Sequence, residues 1–412
     1  MKIVYLHQYF NTPEMSGGTR SYEMARRLVA RGHEVHLITS RREGSTSAGG
    51  WEVTDESGIT VHWLFVPYSN ATPYAERIVA FFRFAAASAR RAASVGGDVI
   101  FASSTPLTIA LPGAYAAWRG KIPMVFEVRD LWPELPIAAG AIKSRPAIFL
   151  ARCLERFAYR NSAAIVALSP GMKEGVVRAG YPAEKVEVIP NSADLELFRV
   201  PPSEGEAFRS RHDWLGDRPL VVYVGTMGRV NGVDYLARIA AAAKGLNPEV
   251  RFLVVGDGAE SERVASVARD LGVLGDNFHM VPPLHKREIP AVLSAANLAT
   301  SLVVPLPEMR WNSANKYFDA LASGTPISIN HSGWLADLIR EHGVGLVVDE
   351  DDPASAAQGI VTAVSDQKWL EKASLAAGKL AEEKFSRDRL AEALERVLRI
   401  AVDGDGPEGS ER

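Results

Sequence analysis

Residues 1–39, MKIVYLHQYFNTPEMSGGTRSYEMARRLVARGHEVHLIT, decide the fold. Lys2-Ile3-Val4-Tyr5-Leu6 is a short β-rich run that enters a polar loop beginning His7-Gln8-Tyr9-Phe10. Ser16-Gly17-Gly18-Thr19 then opens a helical stretch from Gly18 to Arg31, with Met24, Leu28 and Val29 as apolar positions, and a second apolar run covers 34–39. Strand, glycine turn, helix, strand is a βαβ unit, and runs apolar on both faces are what a helix-covered parallel sheet requires. Glycines at a helix start let backbone N–H groups approach an anion, with the helix dipole assisting. Gly17 and Gly18 are therefore candidate anion-binding residues.

The alternation continues. Apolar runs at 59–66, 98–102, 122–128, 163–168 and 186–189 alternate with helical stretches, and the pattern restarts at Leu220 with runs at 220–224, 251–255, 277–281, 298–303, 326–329 and 345–348. This predicts an α/β protein of two doubly wound Rossmann-like domains facing across a cleft, with ligand at the C-terminal ends of the strands. The crossover Ile189-Pro190-Asn191-Ser192-Ala193-Asp194 separates an N-terminal domain, 1–190, from a C-terminal one, 191–385. A long helical tail is expected from about 354 to 401, its last part (386–402) packing back on the first domain. The Gly- and acid-rich residues 403–412 read as a disordered tail.

Composition narrows the class. With 47% hydrophobic and 23% charged residues in 412, the chain can bury sizeable cores. One cysteine, Cys153, excludes a disulfide scaffold and a Cys-rich zinc site and suits a reducing cytoplasm. Met1 leads straight into the first run without a cleavage site, so translation is expected to begin inside the fold. The uncharged stretches 99–118 and 289–307 are broken by Ser, Thr, Asn and Pro and read as strand and helix pieces rather than membrane spans. Residues 1–190 carry 22 Lys+Arg against 16 Asp+Glu and the remainder 24 against 33, a weak pointer to an anionic partner for the first half. Within 74–93, Ile78, Phe81, Phe82 and Ala85 fall near one helical face with Arg77, Arg83, Arg90 and Arg91 beside it. That pattern admits both an interfacial helix on anionic lipid and a core helix with a basic edge.

Four ordered motifs carry a family resemblance: Gly17-Gly18 through Arg31-Gly32-His33-Glu34-Val35, Val188-Ile189-Pro190-Asn191-Ser192-Ala193-Asp194, Val255-Gly256-Asp257-Gly258-Ala259-Glu260, and Asp319-Ala320-Leu321-Ala322-Ser323-Gly324-Thr325-Pro326. In this order the chain resembles the family-4 retaining glycosyltransferases of the GT-B fold. The wording around His7-Gln8-Tyr9-Phe10, Glu127-Val128-Arg129-Asp130-Leu131-Trp132-Pro133-Glu134 and Asn312-Ser313-Ala314-Asn315-Lys316 is most similar to the WbuB-type members linked to surface polysaccharide assembly.

The resemblance implies a nucleotide-diphosphate sugar donor, UDP-sugar favoured. It places Gly17, Gly18, Gly256, Asp257, Val281, Leu284 and Asn312 on the donor, the base lying against the backbone of Val281-Pro282-Pro283-Leu284. It also marks departures. Where the family carries an Arg and a Lys to neutralise the diphosphate, this chain has Thr226 and Asn231, so Arg229 and Lys316 are the available cations. Where the family has two glutamates, this chain has Trp311 and Asp319. Asp319 keeps the ribose role, and Glu308, with Asn312, is the carboxylate nearest to taking over the sugar contact. In the first half Arg129-Asp130 stands in place of a His-Asp pair; Asp130 is a catalytic candidate, and Ser104, Glu127 and Arg129 are assigned to the acceptor side.

No Asp-x-Asp lies beside a strand end, so neither metal nor cofactor is expected. The expected partners are the donor, a lipid-linked or saccharide acceptor and an anionic membrane touched peripherally from the cytoplasm, with no nucleic acid. Fold does not fix function, and a sugar-nucleotide epimerase or an inactive sugar-nucleotide-binding scaffold remain alternatives.

Overall fold

The computed structural model describes residues 1–15, 17–41, 50–66, 74–104, 106–192 and 194–404; Ser16, Thr105, Ala193 and residues 405–412 lie outside the described residues, as do the side chains of Arg77 and Ile78. The chain divides into two compact units, the described residues of Met1–Pro190 with Asp388–Arg412, and Asn191–Arg387.

In the first unit β1 (Lys2–Leu6) leads through α1 (Arg20–Ala30) to β2 (Glu34–Arg41), and β3 (Trp51–Glu56) turns into β4 (Ile59–Phe65). Helix α2 (Tyr74–Val95) crosses to β5 (Val99–Ser103), α3 (Ala110–Gly120) to β6 (Met124–Val128), α4 (Glu134–Ala138) and α5 (Arg145–Arg160) to β7 (Ala164–Ala167), and α6 (Pro170–Arg178) to β8 (Val186–Val188). The strands lie in the order β3-β4-β2-β1-β5-β6-β7-β8, parallel throughout except for β3 against β4. Right-handed crossovers send α1 to one face, because its connection runs from β1 towards the β3 edge, and α2, α3 and α5 to the other. The packing agrees. Met24 and Leu28 of α1 join Ile3, Tyr5 and Phe101 in one core. Gly113 of α3 lies on Met124 and Ala102, and Tyr159 of α5 meets Phe126 at 6.4 Å between ring centroids.

The sequence reading has no strand between 39 and 59. The structure puts β3 there, as an antiparallel hairpin partner of β4 on the sheet edge. Its residues stay partly exposed and half of them are acidic, so the run lacks the apolar density that marks the other strands. The signal was in the turn: Ser57 and Gly58 both take positive φ (57° and 83°), the backbone that a two-residue hairpin demands.

Helix α2 has a buried side and an exposed side. Ala80, Phe84, Ala85, Ser88 and Ala92 are its buried positions, while Phe82 and Val79 are exposed. Arg91 donates to His62 Nδ1 at 2.8 and 3.1 Å and lies over the Trp51 ring, so it is a packing cation. Burial, Arg91 and the neighbouring His36 hold His62 down to about 4, neutral at physiological pH. Among the described residues no helix is long and apolar enough to cross a membrane.

The second unit opens with α7 (Leu195–Phe198) and α8 (Pro202–Ser210), then alternates β9 (Leu220–Val224), α9 (Asp234–Leu246), β10 (Arg251–Val255), α10 (Ser261–Asp270), β11 (Phe278–Val281), α11 (Ile289–Ala295), β12 (Leu298–Ser301), α12 (Asn315–Ala322), β13 (Ile327–Ile329), α13 (Trp334–His342) and β14 (Gly345–Val347). Its strands, all parallel, lie in the order β11-β10-β9-β12-β13-β14. Alternate residues feed opposite cores: Val222, Leu253 and Val255 pack with α12 and α13, whereas Val221, Tyr223, Phe252 and Val254 pack with α9 and α10. Both units are doubly wound, the fold class implied by the sequence.

The expected continuous tail is three helices, α14 (Pro353–Ser365), α15 (Gln367–Phe385) and α16 (Arg387–Asp403). Asp366 leaves helical backbone and caps α15 by accepting from Trp369 N, and Ser386, extended at ψ 134°, separates α15 from α16. Helix α15 packs into the second unit through Ala377, Leu380 and Phe385. Only α16 belongs to the first, where Leu390, Leu394 and Leu398 join the core of β1 and α1. Residue 403, read as tail, is its last residue.

Leu394→Ala removes a fully buried side chain from that core and should destabilise the first unit by about 2–5 kcal/mol. Hydrogen exchange checks this: protection should fall in β1, β2 and α1, and stay unchanged in the strands of the second unit.

Candidate functional site

The strand order of the second sheet reverses at β9, which is flanked by β10 and β12, so the loops after β9 and β12 border the topological switch point where doubly wound sheets bind ligands. Lys316, in the first turn of α12, lies there half-buried. Its ammonium donates to Tyr223 Oη at 2.8 Å and stands 4.4 Å from that ring's centroid. Tyr223 Oη in turn donates to the Thr226 carbonyl at 2.8 Å. Burial pushes Lys316 down to about 8, against the opposing pull of Asp319. Asp319, three residues along the same helix, is pushed up to about 6 by burial, with Arg387, Lys286 and Lys316 opposing. No side chain caps the first turn of α12; Tyr317 N donates to the Ala314 carbonyl at 3.1 Å, and the N–H groups of Asn315 and Lys316 open the helix.

Two loops are shaped around this lysine. Gly225 has φ 141°, and a Cβ there would stand 3.3 Å from Lys316 Cε. Gly256, φ 144°, crosses so near that a Cβ would overlap the Gly225 carbonyl oxygen, and one on Gly258 would meet the Met227 carbonyl. These glycines allow two backbones to cross. Asp257 is exposed and accepts from Ser261 Oγ and Gly258 N, both at 2.7 Å, which holds it low and ties the loop to the first residue of α10. Gly256 and Asp257, assigned to the donor, thus have complete structural roles of their own. Asn231, at the family's lysine position, accepts from Gly228 N and closes the loop. Thr226 is exposed beside it. Arg229, at the tip, is 89% exposed with Glu260 at 3.7 Å, so its effect on a ligand is strongly screened. Val281 ends β11 and accepts from Gly256 N, and Leu284 packs against the core.

Glu308 lies in a 3-10 turn, Pro307–Trp311, seated on the start of α13: Gly333 abuts the Arg310 carbonyl and Trp334 Nε1 donates to the Asn312 carbonyl at 2.8 Å. Glu308 Oε2 is buried without a hydrogen-bond partner among the described residues. So is His331 Nε2, just beyond β13; His331 Nδ1 donates to the Ser332 carbonyl, which leaves Nε2 an acceptor on a ring that burial keeps neutral. Sequence reading missed His331, since Asn330-His331-Ser332 follows a short strand with no motif around it. It also missed Tyr223, which reads as core and is core apart from its hydroxyl.

In the first unit the assigned acceptor residues cluster around β6. Glu127, given to the acceptor side, is 1% exposed. Its Oε1 accepts from Arg20 at 2.8 and 3.0 Å and its Oε2 from Ser103 at 2.6 Å. This corrects the assignment: both oxygens are spent inside the fold, where Arg20 also ties the Ile189 and Pro190 carbonyls. Burial alone would raise Glu127, but Arg20, Arg129 and Ser103 outweigh it and hold it low. Ser104 is likewise a backbone staple, accepting from Arg129 N at 2.9 Å. Arg129 Nη1 donates to His7 Nε2 at 3.0 Å; since arginine only donates, the His7 proton lies on Nδ1 and goes to Ser21 Oγ at 2.6 Å. Asp130 follows Arg129, half-buried at the end of the same strand. Gly17, φ 130°, packs on the Asn11 amide, which donates to the Gly18 carbonyl. Among the described residues no three His, Cys, Asp or Glu side chains converge as metal ligands would.

A lysine and a carboxylate thus stand one helical turn apart at the switch point of one doubly wound unit, and the chain carries a second such unit. Residues 17–192 match the family described as Glycosyl transferase 4-like domain, and residues 218–366 match Glycosyl transferases group 1. The chain carries these two glycosyltransferase domains in that order. It is 30% identical over 244 residues to the D-inositol 3-phosphate glycosyltransferase of Xylanimonas cellulosilytica, covering 57% of this chain and 56% of that protein. The chain thus spans about half the length of that curated relative. It is 27% identical over 278 residues to the GDP-mannose-dependent alpha-(1-6)-phosphatidylinositol monomannoside mannosyltransferase of Mycolicibacterium smegmatis, 65% of this chain and 66% of that protein. The Anabaena protein HepE, solved in complex with UDP and glucose, shares the fold at a TM-score of 0.72 and 18% identity, over 97% of this chain and 99% of that one.

Glu127→Gln leaves Arg20 buried without its counter-charge and should destabilise the first unit by about 3–5 kcal/mol. A carboxylate held low contributes stability that is present above its unfolded value of 4.5 and lost as pH falls through its folded value. Acid unfolding followed by hydrogen exchange should therefore show the parent's advantage over Glu127→Gln intact at pH 6 and shrinking below about 4.5. An advantage independent of pH would assign the loss to packing.

Proposed function

We propose that the chain is a retaining, metal-independent hexosyl- or N-acetylhexosaminyltransferase. It moves a sugar from a UDP-sugar to a hydroxyl of a lipid-linked or saccharide acceptor in surface polysaccharide assembly, at the inner face of the cell membrane. The observation that carries this reading is the half-buried Lys316 ammonium three residues from the Asp319 carboxylate on α12. The pair matches, in charge and spacing, a nucleoside diphosphate: the cation and the uncapped N–H groups of α12 for the phosphates, the carboxylate for ribose hydroxyls. HepE, with UDP and glucose, supports the donor class, and the phosphatidylinositol mannoside relative supports a lipid-linked acceptor. The WbuB-type assignment, and with it the polysaccharide role, rests on the motif wording given above.

In the proposed reaction the bond from the sugar C1 to the donor phosphate oxygen breaks with its electron pair leaving on the phosphate. The acceptor oxygen bonds C1 from the same face, and its proton passes to the departing phosphate oxygen. Lys316 and the α12 N–H groups stabilise the charge that develops there, a fixed arrangement needing no reorganisation and no divalent cation. Glu308 Oε2 and His331 Nε2, buried acceptors awaiting donors, are suited to the hydroxyls of the transferred sugar. Asp130 faces the acceptor in this scheme.

The test is incubation with a panel of UDP- and GDP-sugars, with and without EDTA, read by mass spectrometry and by NMR of the product anomer. EDTA-resistant transfer from a UDP-sugar with retention is expected. Turnover of GDP-sugars alone would overturn the base assignment, an interconverted donor would indicate epimerisation, and a donor bound but never consumed would indicate a scaffold.

Lys316→Ala should weaken UDP binding by about 1.5–3 kcal/mol, tenfold or more, and leave uridine binding unchanged. Arg229→Ala, on an exposed side chain, should cost under about 1 kcal/mol. Equal losses from the two would place the diphosphate at the loop tip instead of at α12.

UDP affinity should also trace a bell in pH. It falls below about 6 as Asp319 takes up a proton, and above about 8 as Lys316 loses one. Asp319→Asn should shrink the acid limb to the part that the terminal phosphate of UDP sets by its own protonation at about 6, and Lys316→Arg should remove the alkaline limb; calorimetric titration across about pH 5–9 checks both limbs.

A further inference from the structure

The outer layer of the first unit, on the face opposite α1 and α16, carries a surface that fits neither its core nor its reaction. Helix α5 should present polar residues to water, yet Phe149 and Leu150 are each 66% exposed and Phe157 is 39% exposed. At helical spacing Phe149, Cys153 and Phe157 form one i, i+4 ridge, with Leu150 beside Cys153 and Phe157. Arg152, Arg156 and Arg160 form the next ridge, and all three are exposed. The only acid of the helix, Glu155, is turned inward at 5% exposure. The outward face of α5 is therefore apolar and cationic, with no exposed carboxylate of its own.

Helix α3 packs beside α5 on the same sheet face and repeats the pattern. Trp118 is 75% exposed and Tyr115 43%, their rings 6.1 Å apart, followed by exposed Arg119 and Lys121; α3 has no acidic residue. Aromatic and aliphatic side chains interleaved with arginine and lysine, on helices too short and too charged to span a bilayer, suit the interfacial region of an anionic membrane. A second copy of this chain fits less well, because a symmetric contact through this face would bring the same arginines together.

We propose that the outward face of α3 and α5 is the membrane-docking surface of this protein, with Trp118, Phe149 and Leu150 entering the headgroup–acyl boundary and the flanking arginines meeting anionic lipid phosphates. The inference rests on the proposed lipid-linked acceptor for its purpose, and it adds a second element to α2, of which Phe82, Arg83 and Arg90 are exposed while Phe84 is core and Arg91 is held by His62.

Cys153, the single cysteine, is exposed on this face and supplies a native reporter. The full chain, labelled there with an environment-sensitive fluorophore, is mixed with vesicles of phosphatidylcholine alone or with phosphatidylglycerol added. UDP binding is measured in parallel by calorimetry. The expected result is flotation and a blue-shifted label on the anionic vesicles only, lost as salt rises because exposed charges are screened over about 10 Å at 0.1 M. Joint replacement Phe149→Asp and Leu150→Asp should weaken vesicle binding roughly tenfold or more, as removal of inserted apolar groups predicts. UDP affinity should not change; if UDP fails to bind the parent, the donor reading falls while the vesicle result stands or falls by itself. No binding of the unlabelled parent to anionic vesicles at low salt overturns the proposal. So does binding in which the label stays in water, or light scattering that shows a dimer dispersed by the double variant.

Discussion

A lysine ammonium kept partly out of water constrains the C-terminal edge of the second sheet. Burial pulls the Lys316 ammonium down to about 8 against the opposing charge of Asp319, and the group rests on the Tyr223 hydroxyl, which passes its hydrogen bond on to the Thr226 carbonyl, and beside that ring's aromatic face. To leave it room, Gly225 carries no side chain, and to let Gly225 turn there, Gly256 must pass its carbonyl without one either. The loops after β9 and β10 therefore follow from one side chain on α12. On the proposed function a diphosphate completes the arrangement, giving back the counter-charge that burial withholds.

The two units treat buried charge in opposite ways. In the first, Arg20 and Glu127 are both almost wholly buried and every oxygen of the carboxylate is engaged, so the pair fixes α1 against β6 and against the chain at Ile189-Pro190. In the second, burial pushes Lys316 towards losing its proton and Asp319 towards gaining one, the condition of groups that, on the proposed function, a ligand would complete. A family pattern cannot separate these cases, because a carboxylate at a strand's C-terminal end looks the same in sequence whether it is sealed or poised.

Much of the fold was legible because parallel strands buried on both faces are dense apolar runs. The exception, β3, shows the reason: an edge strand of alternating acids and apolar residues lacks that density, and its Ser57-Gly58 turn was the surviving clue. The tail was read as one helix because its composition stays helical across Asp366 and Ser386, where capping and extended backbone break it. For the candidate site, Asp319 was read by aligning on Gly324-Thr325-Pro326, Lys316 as a cation available in place of the family's lost pair, and Glu308 as the carboxylate nearest the lost position. Glu127 was misplaced because its partner, Arg20, is 107 residues away. On α2 the sequence admitted both an interfacial and a core helix, and the structure shows why: Phe84 and Ala85 are buried while Val79 and Phe82 are exposed, a division along one helix that composition does not reveal.

The central claim, that Lys316 is a poised cation for a diphosphate, is tested most directly by the titration of its own ammonium. With lysines isotopically labelled at Cε and the Lys316 signal assigned from Lys316→Arg, NMR should show the free protein's group titrating near 8. Adding UDP should move that midpoint up by more than a unit, since an adjacent anion favours the charged form, while uridine leaves it in place. A midpoint near 8 that UDP does not move would contradict the account.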